Sequence, residues 1–269
     1  MSTPTKQFAH RLARVTQRKA GRWALTLERA SGLTVGRYPT IGSLERNLIE
    51  IIDGLGITCV IDVGAHHGEF ARTLRTDVGF EGRIVSVEPA EGAYRRLVDT
   101  MRTDSKWRGM KLALGDAAGT AELTIIGPGV KTNLSSLHAQ NARAHERFGR
   151  LADEVGHETV QVQRLDAVLD QMLEGLDRPR VLLKIDTQGH DLAVVKGAGE
   201  RMGELAAVLL EAPSLPIYED VPTIDALFVE MRNRGFDPSN IFPVLRTSDG
   251  LRMMEFDCTF VNRAMVAPV

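Results

Sequence analysis

One stretch of the chain, CVIDVGAHHG at residues 59–68, constrains the fold more than any other. The apolar residues Val60, Ile61 and Val63 are typical of a buried parallel strand. Gly64 and Gly68 then permit a sharp turn into a helix that we expect to begin near Glu69. The sequence therefore predicts the strand, turn and helix that open a βαβ unit, where backbone N–H groups and a helix N-terminus face a ligand.

An acidic residue follows the next predicted strand. Glu88 follows the apolar residues of the run IVSVEP at residues 84–89. It stands about 20 residues beyond the glycines, the separation at which a βαβ unit places the acid that binds ribose hydroxyls. A glycine turn alone can be no more than a structural corner. The turn and the acid together predict a bound nucleoside cofactor.

The residues of the turn narrow the choice of cofactor. The turn reads GAHHG and lacks the middle glycine that lets a backbone approach a pyrophosphate, which disfavours NAD. Asp62, just before the first glycine, suggests an acidic pocket suited to a cationic or amine-bearing ligand. S-adenosylmethionine, a sulfonium with an amino-acid tail, fits these residues better.

The size and composition of the chain suit a soluble enzyme. Its 269 residues, 43% of them hydrophobic, are enough for one α/β domain with an appendage. No apolar run approaches the ~18 residues of a membrane span and the N-terminus lacks a secretory core, so we expect a cytoplasmic protein. Cys59 and Cys258 lie in predicted strands and are expected to be buried hydrophobes. Without a C-x-x-C pair they indicate neither zinc nor redox chemistry.

Positive charge is concentrated at the N-terminus. Up to Thr40 the chain carries eight Lys and Arg residues and a single acid, Glu28, although its net charge is −2. Residues 6–29 show a loose helical pattern with a basic face. We predict a helical arm over residues 1–42 that packs on the domain or on a partner, including a second copy in a homodimer. Contact with a membrane surface stays open as an alternative, and nucleic acid is not expected.

Residues 127–158 form a long, polar segment between predicted strands. Long excursions from a compact domain often act as lids or substrate loops. This one carries Asn133, Ser135, Ser136 and His138. We predict that the segment covers an acceptor, although each of these residues is also typical of a solvated loop.

A third strand is predicted over residues 110–116 and ends at Asp116. An acid at that end, beside the ligand crevice, is suited to bind an adenine amine. It is equally suited to cap the turn at residues 115–119, and both interpretations stay open.

A later strand end carries the candidate chemistry. Residues 181–185 predict a buried parallel strand that delivers Asp186 and His190 to the carboxyl edge of the sheet. A histidine has the pKa range to take a proton from a hydroxyl, so we assign His190 as the base and Asp186 as the residue that positions it or the acceptor. A turn-capping Asp and a surface His form the alternative. A hard divalent cation is a further alternative for the set Asp186, His190, Asp191 and Glu211. The spacing of that set is not diagnostic, so no metal is predicted.

Strand and helix patterns alternate through the rest of the chain. Residues 206–211 predict another buried strand, and residues 223–234 an amphipathic helix. Residues 241–246 and 252–261 resemble a closing hairpin. The alternation predicts a doubly wound α/β sheet, mostly parallel, with one antiparallel strand near the C-terminus.

Short motifs occur in order between residues 43 and 263. They are IDVGA (61–65), VEP (87–89), ALGD (113–116), SSL (135–137), RLD (164–166), LKIDTQG (183–189), KGA (196–198) and LE (210–211). Over this stretch the chain resembles the FkbM family of S-adenosylmethionine-dependent methyltransferases, in a subgroup that carries Asp-Thr-Gln-Gly.

The resemblance implies a class I methyltransferase (Rossmann-like) domain over residues 43–269 and methyl transfer mostly to hydroxyl groups of sugars or natural products. The expected cofactor contacts are Asp62, Gly64, Ala65, His66, Gly68, Glu88, Pro89, Asp116 and Asp186. The expected acceptor contacts are Asn133, Ser135, Ser136, His138, Gln188 and Glu211. The chain departs from the family twice: Ala-Asn-x-Gly is here AHHG at residues 65–68, and Glu-Gly-x-Glu is QGHD at residues 188–191.

These observations predict an O-methyltransferase that acts on a sugar hydroxyl, in a glycolipid or a glycosylated natural product. The hydroxyl of a polyketide or peptide satisfies the same residues. A non-catalytic scaffold that binds the cofactor is a third hypothesis, since binding motifs do not prove turnover. Amino methylation of nucleic acid is disfavoured, because Asp186-Thr-Gln-Gly stands where an Asn/Asp-Pro-Pro-Tyr segment is expected.

Overall fold

The computed structural model describes residues 42–126 and 134–267. The predicted basic arm, up to residue 41, and the predicted acceptor contact Asn133 lie outside these residues. Within them, no helix combines the length and the apolar character needed to cross a bilayer.

Strands and helices alternate along the described chain. The strands are β1 (Cys59–Val63), β2 (Arg83–Val87), β3 (Trp107–Met110), β4 (Ala113–Gly115), β5 (Gly119–Ile126), β6 (Glu154–Arg164), β7 (Val181–Ile185), β8 (Ala207–Pro213), β9 (Phe236–Arg246) and β10 (Met253–Asn262). The α-helices are α1 (Leu44–Leu55), α2 (Glu69–Thr73), α3 (Glu91–Met101), α4 (Ala142–Phe148), α5 (Leu165–Leu173), α6 (Asp191–Gly197) and α7 (Ile224–Asn233). Helix α2 continues into a π-helical segment at Leu74–Val78, and 3₁₀ segments lie at Gly149–Ala152, Gly199–Glu204 and Arg263–Met265.

The central sheet has seven strands in the order β3-β2-β1-β7-β8-β10-β9. Strand β10 runs antiparallel to both β8 and β9, and the other pairings are parallel. The chain order reverses between β1 and β7, and open α/β sheets bind their ligands at such a switch point. This arrangement confirms the predicted class I methyltransferase fold with its one antiparallel strand near the C-terminus.

The two strands at the switch point are buried along their whole length. Every residue of β1 and of β7 is buried, because helices cover both faces of the sheet. On one face Ile61 and Val63 pack in a cluster with residues of α5 and α6. On the other face Val60 packs with residues of α1 and α2. Residues at alternate positions thus enter separate cores, and Asp62 shares its face with Val60.

The prediction of a single third strand over residues 110–116 is wrong. Two short strands in two sheets take its place: β3 pairs with β2 in the central sheet, and β4 pairs with β6 in a small sheet of order β4-β6-β5. The pairing ends at Met110 because β2 itself ends opposite that residue, at Val87. Asp116 follows β4 and is exposed, so it does not end the third strand of the central sheet.

The predicted irregular segment, residues 127–158, contains regular structure. Helix α4 begins after Asn141, whose side chain caps it by accepting the N–H of Arg143 at 3.0 Å. Strand β6 begins at Glu154, earlier than predicted, because its first residues pair with β5. The first residues of β6 were not predicted as a strand because they are polar, and they are polar because one face of the small sheet is open to solvent.

The closing hairpin is confirmed, but its first strand is longer than predicted. Strand β9 begins at Phe236 rather than Ile241 and contains Pro238 and Pro243. Proline argues against a central strand, but β9 is the edge strand of the sheet, where the missing N–H groups cost no ladder bond.

Candidate active site

A cavity of about 670 Å³ opens at the carboxyl edge of the central sheet. The last residues of three strands line it: Val63 of β1, Val87 of β2 and Ile185 of β7. Residues of β5 and of the 135–137 segment line it as well. Its volume lies within the range of small-molecule and cofactor sites.

The glycine turn brings the ends of β1 and β7 into close contact. Gly64 has φ +73°, and a Cβ atom at this position would lie 1.8 Å from the carbonyl oxygen of Asp186. Only glycine fits here, because both the backbone conformation and the approach exclude a side chain. Gly68, at φ +86°, then turns the chain into α2.

The carboxylate of Glu88 holds this turn in place. Its Oε2 accepts the backbone N–H of His66 at 2.8 Å, and its Oε1 accepts that of Ala90 at 3.0 Å. Burial raises the pKa of the Glu88 carboxyl, and these two N–H groups oppose the rise. Glu88 lines the cavity with further acceptor capacity on both oxygens, so it can support the turn and bind hydroxyl groups at the same time.

His66 stands where the family that this sequence resembles commonly has asparagine. Its φ is +47°, in the left-handed region that asparagine and histidine enter more readily than most residues. The contact with Glu88 uses the main chain of His66, not its side chain. The hydrogen bond that shapes the turn therefore does not depend on the side chain at this position.

A buried lysine, Lys184, lies beneath the turn and was not among the predicted site residues. Nζ of Lys184 is 3.1 Å from Oδ1 of Asp62 and 3.4 Å from Oδ2 of Asp186. It also donates to the carbonyl oxygen of Gly64 at 3.0 Å. The signal in the sequence was a lysine inside an apolar strand, because a charge in such a strand requires a partner.

The charges around Lys184 compensate one another. Burial alone would lower the pKa of Lys184, but Asp62 and Asp186 outweigh it, and the pKa of the ammonium is raised. Burial raises the pKa of Asp62, and the ammonium opposes that rise. Asp62 is fully buried and does not line the cavity. Its carboxylate serves Lys184 rather than forming an acidic pocket.

Apolar side chains form another part of the cavity wall. They come from the end of the β3–β4 connection, from β4, from β5 and from the loop after it: Leu112, Ala113, Leu114, Leu123, Ile125 and Leu137. Pro89 and Ala90 continue this surface next to Glu88. Asp116 does not take part in it.

Two histidines meet where the small sheet covers the cavity. Nδ1 of His190 lies 3.1 Å from Nε2 of His138, and His190 lines the cavity. Burial lowers the pKa of both rings, and His138 lowers that of His190 further. Both imidazoles are therefore neutral near pH 7. The contact joins residues 134–141, the covering segment, to the strand end that carries Asp186.

Gln188 is a buried junction behind the cavity. Its Nε2 donates to Asp186 at 2.9 Å and to Glu211 at 3.1 Å. Its carbonyl oxygen accepts the Ser136 hydroxyl at 2.6 Å. The Tyr218 hydroxyl lies 2.9 Å from Oε1 of Gln188 and equally far from the carbonyl oxygen of Leu134. These bonds tie the covering segment to Asp186.

The predicted site residues therefore fall into two groups. Those that line the cavity are Gly64, Ala65, His66, Glu88, Pro89, Ser135, Asp186 and His190. Those that do not are Asp62, Gly68, Asp116, Ser136, His138, Gln188 and Glu211. Asp257 of β10 also lines the cavity, and the sequence pattern did not predict it. Its strand comes last in the chain and reaches the site only because it inserts antiparallel between β8 and β9.

Carboxyl groups crowd the region behind Asp186. Asp191, Glu211 and Glu255 line a second, very small cavity with Tyr218. Burial and then the neighbouring Asp186 raise the pKa of Asp191 to about 7 and that of Glu255 to about 7. These groups hold protons more tightly than exposed acids do.

The four residues considered for a divalent cation, Asp186, His190, Asp191 and Glu211, do not form a group of converging donor atoms in the described part of the chain. There, the group whose possible ligand atoms all lie within 4.8 Å of one another is His66, His67 and Glu69. Cys59 and Cys258 are free and buried, and burial raises the pKa of each thiol to about 12.

Comparisons with known proteins agree with this arrangement. The profile of the family described as methyltransferase FkbM domain matches residues 62–238, which is more than half of the chain. Methyltransferase sdnD of Sordaria araneosa is 29% identical over 202 residues, which cover 66% of this chain and 73% of that protein.

Two solved structures are more distant. Methyltransferase FkbM of Methylobacillus flagellatus KT is 18% identical with a TM-score of 0.45, over 75% of this chain and only 43% of that chain. Fibrillarin of Aeropyrum pernix, solved with bound S-adenosyl-L-methionine, is 13% identical with a TM-score of 0.39, over 77% of this chain and 66% of that chain. The fold, the ordered motifs and the extent of the profile match lead to one conclusion: the chain belongs to the methyltransferase FkbM domain family.

Proposed function

We propose that this protein is an S-adenosylmethionine-dependent O-methyltransferase that acts on a sugar hydroxyl of a glycolipid or a glycosylated natural product. The observation that carries the proposal is the placement of Glu88 and Asp186 on either side of β1, around one cavity that His190 also lines. Family membership supports methyl transfer. The hydroxyl and the sugar are the finer parts of the proposal, and they rest on the resemblance and on the polar groups of the site.

The residues present fit S-adenosylmethionine. Glu88 retains lone pairs for two ribose hydroxyls, and the apolar wall around Leu114 and Leu123 suits a flat adenine ring. Asp186 and Asp257 present carboxyl groups that favour a cationic ligand. When bound, S-adenosylmethionine supplies a methyl group that is already activated by its sulfonium. The chain therefore has to orient the acceptor and remove its proton.

The contacts of His138 indicate how His190 acts as the base. Burial lowers the pKa of His138, and a hydrogen bond between its ring and the backbone of Glu219 opposes that fall. If the ring N–H at Nδ1 of His138 makes that bond, its Nε2 is an acceptor, and His190 must donate from Nδ1. Nε2 of His190 then carries the free lone pair that an acceptor hydroxyl needs. His138 is thus a positioning residue that selects the reactive tautomer.

Asp186 has a different role in this scheme. Gln188 and Lys184 fix its carboxylate, so it remains an oriented acceptor of hydrogen bonds at the cavity wall. It is placed to hold the hydroxyl that approaches His190. Gln188, Ser136 and Glu211 act behind it as supports rather than as acceptor contacts.

Calorimetry with S-adenosylmethionine, S-adenosylhomocysteine and NAD tests the cofactor. We expect the first two to bind and NAD not to bind. Glu88→Gln should weaken binding by about tenfold or more, because a hydrogen bond to a charged group contributes ~1.5–3 kcal/mol. Glu122→Gln, at an exposed position of β5, is the control and should bind as the wild type does. Absence of binding in a folded wild-type protein would reject the proposal.

The acceptor requires a second experiment. Release of S-adenosylhomocysteine is measured with alkyl glycosides and with the same alkyl alcohols lacking the sugar. We expect release with a glycoside, with the new methyl located on a sugar oxygen by mass spectrometry. Release with polyketide or peptide hydroxyls instead would replace the sugar acceptor, and cofactor binding without any release would favour a scaffold.

A further inference from the structure

Three side chains that the proposed reaction does not use converge at the rim of the cavity. Nδ1 of His66 lies 3.5 Å from Oε2 of Glu69, and Nδ1 of His67 lies 3.7 Å from Oε1 of the same carboxylate. The possible ligand atoms of all three residues lie within 4.8 Å of one another. We call these residues the rim cluster.

Backbone hydrogen bonds hold the three residues of the rim cluster next to one another. Glu88 holds the N–H of His66, and Glu69 accepts the N–H of His67 at 3.1 Å. The two imidazole rings lie against each other, with centroids 3.6 Å apart and planes at 25°, so they must rotate about their side-chain bonds for both Nδ1 atoms to face one ion. Because His66 also has a positive φ, the turn holds two adjacent histidines on one side of the chain, where alternation would otherwise separate them.

The donors of the rim cluster match one class of ion. Bonds of 2.0–2.1 Å in a tetrahedral zinc site place neighbouring ligand atoms about 3.4 Å apart, close to both measured separations. Two imidazoles and one carboxylate suit zinc and related transition metals, whereas Mg²⁺ and Ca²⁺ prefer oxygen ligands.

We propose that His66, His67 and Glu69 bind one divalent transition-metal ion of the zinc class at the rim of the cavity. Three protein ligands leave a fourth position for water or for a ligand in the cavity. Solvent reaches the cluster directly, since the Glu69 side chain is 58% exposed, so no opening of the fold is required. All three residues line the cavity, which places the ion next to whatever occupies it.

Calorimetric titration of the untagged full chain with Zn²⁺, without any cofactor, tests the site. We expect one equivalent to bind in wild-type protein, and neither Mg²⁺ nor Ca²⁺ to replace it. His67→Gln and Glu69→Gln should each weaken Zn²⁺ binding tenfold or more. Co²⁺ bound to the same site should give the visible absorption of a four-coordinate ion.

The matched control is His157→Gln. His157 also contacts carboxylates, those of Glu122 and Glu154, but it is a single histidine on the exposed small sheet. Its replacement should leave the high-affinity Zn²⁺ site unchanged. The proposal is overturned if the wild type takes up no Zn²⁺, or if the loss follows His157 instead of His67 and Glu69. Thermal melts establish that each variant is folded, and the absence of cofactor keeps this result independent of the methyltransferase proposal.

Discussion

Nζ of Lys184 lies 3.1 Å from Oδ1 of Asp62, directly beneath the glycine turn. Both side chains are buried, so replacing the lysine leaves carboxylates without their cation. We expect Lys184→Met to lower the free energy of unfolding by about 3–5 kcal/mol, the usual result of breaking a buried pair. Urea denaturation measures the change.

A double variant separates charge from packing at this position. Asp62→Asn in the Lys184→Met background should restore part of the lost free energy, because fewer unpaired charges remain buried. Lys196→Met, at an exposed lysine of α6, is the control and should denature like the wild type. If Lys184→Met were as stable as that control, the ion pair would not hold the turn.

Gly64→Ala should disable both folding and cofactor binding. A Cβ atom would lie 1.8 Å from the Asp186 carbonyl oxygen, so the ends of β1 and β7 would have to separate. Gly54→Ala is the matched control, since Gly54 lies within helix α1 and nothing within 4 Å opposes a methyl group. We expect that control to be neutral or more stable by up to ~1 kcal/mol. Thermal melts with and without S-adenosylhomocysteine compare the two.

The contribution of Asp191 to stability should fall as the pH rises from about 4 to 7. Burial and Asp186 raise the pKa of Asp191 from 3.8 to about 7, so the folded state binds more protons than the unfolded state across this range. For each such proton, the free energy of unfolding falls by up to about 1.4 kcal/mol for every unit by which the pH rises. Asparagine at position 191 cannot titrate, so Asp191→Asn should make the pH dependence of the free energy of unfolding less steep. Glu255, whose pKa is also raised to about 7, should continue to contribute to that dependence.

Urea denaturation at pH 5 and at pH 7.5 measures that slope. Asp99→Asn, at an exposed position of α3, serves as the comparison and should leave the slope as it is in the wild type. An Asp191→Asn slope as steep as the wild-type slope would show that Asp191 is ionised in the fold.

His190 and His138 should affect turnover in different ways. His190→Gln should lower kcat by about 10²–10⁴-fold, the contribution of a general base. Burial and His138 lower the pKa of His190, so His138→Gln should raise that pKa and move the acidic limb of the pH–rate profile to higher pH. His145→Gln, on exposed α4, should change neither quantity. Unaltered turnover in His190→Gln would remove His190 as the base.

The sequence by itself determined the local parts of this protein. An apolar strand, a glycine turn and an acid at a fixed distance are written in consecutive residues, so β1, the turn and Glu88 followed from spacing alone. The alternation of strands and helices likewise predicted the doubly wound sheet, and the closing hairpin indicated its antiparallel strand.

Tertiary structure decided which side chains meet. Lys184 joins Asp62, and His138 joins His190, across long stretches of chain whose approach no local pattern encodes. The arrangement of the strands in the two sheets also leaves Asp116 outside the cavity lining and includes Asp257 in it. Sequence periodicity does not show this, because a chain segment can join either sheet without changing its alternation of side chains. Local sequence sets the conformation of each element, but the partners of a buried charge are set by packing.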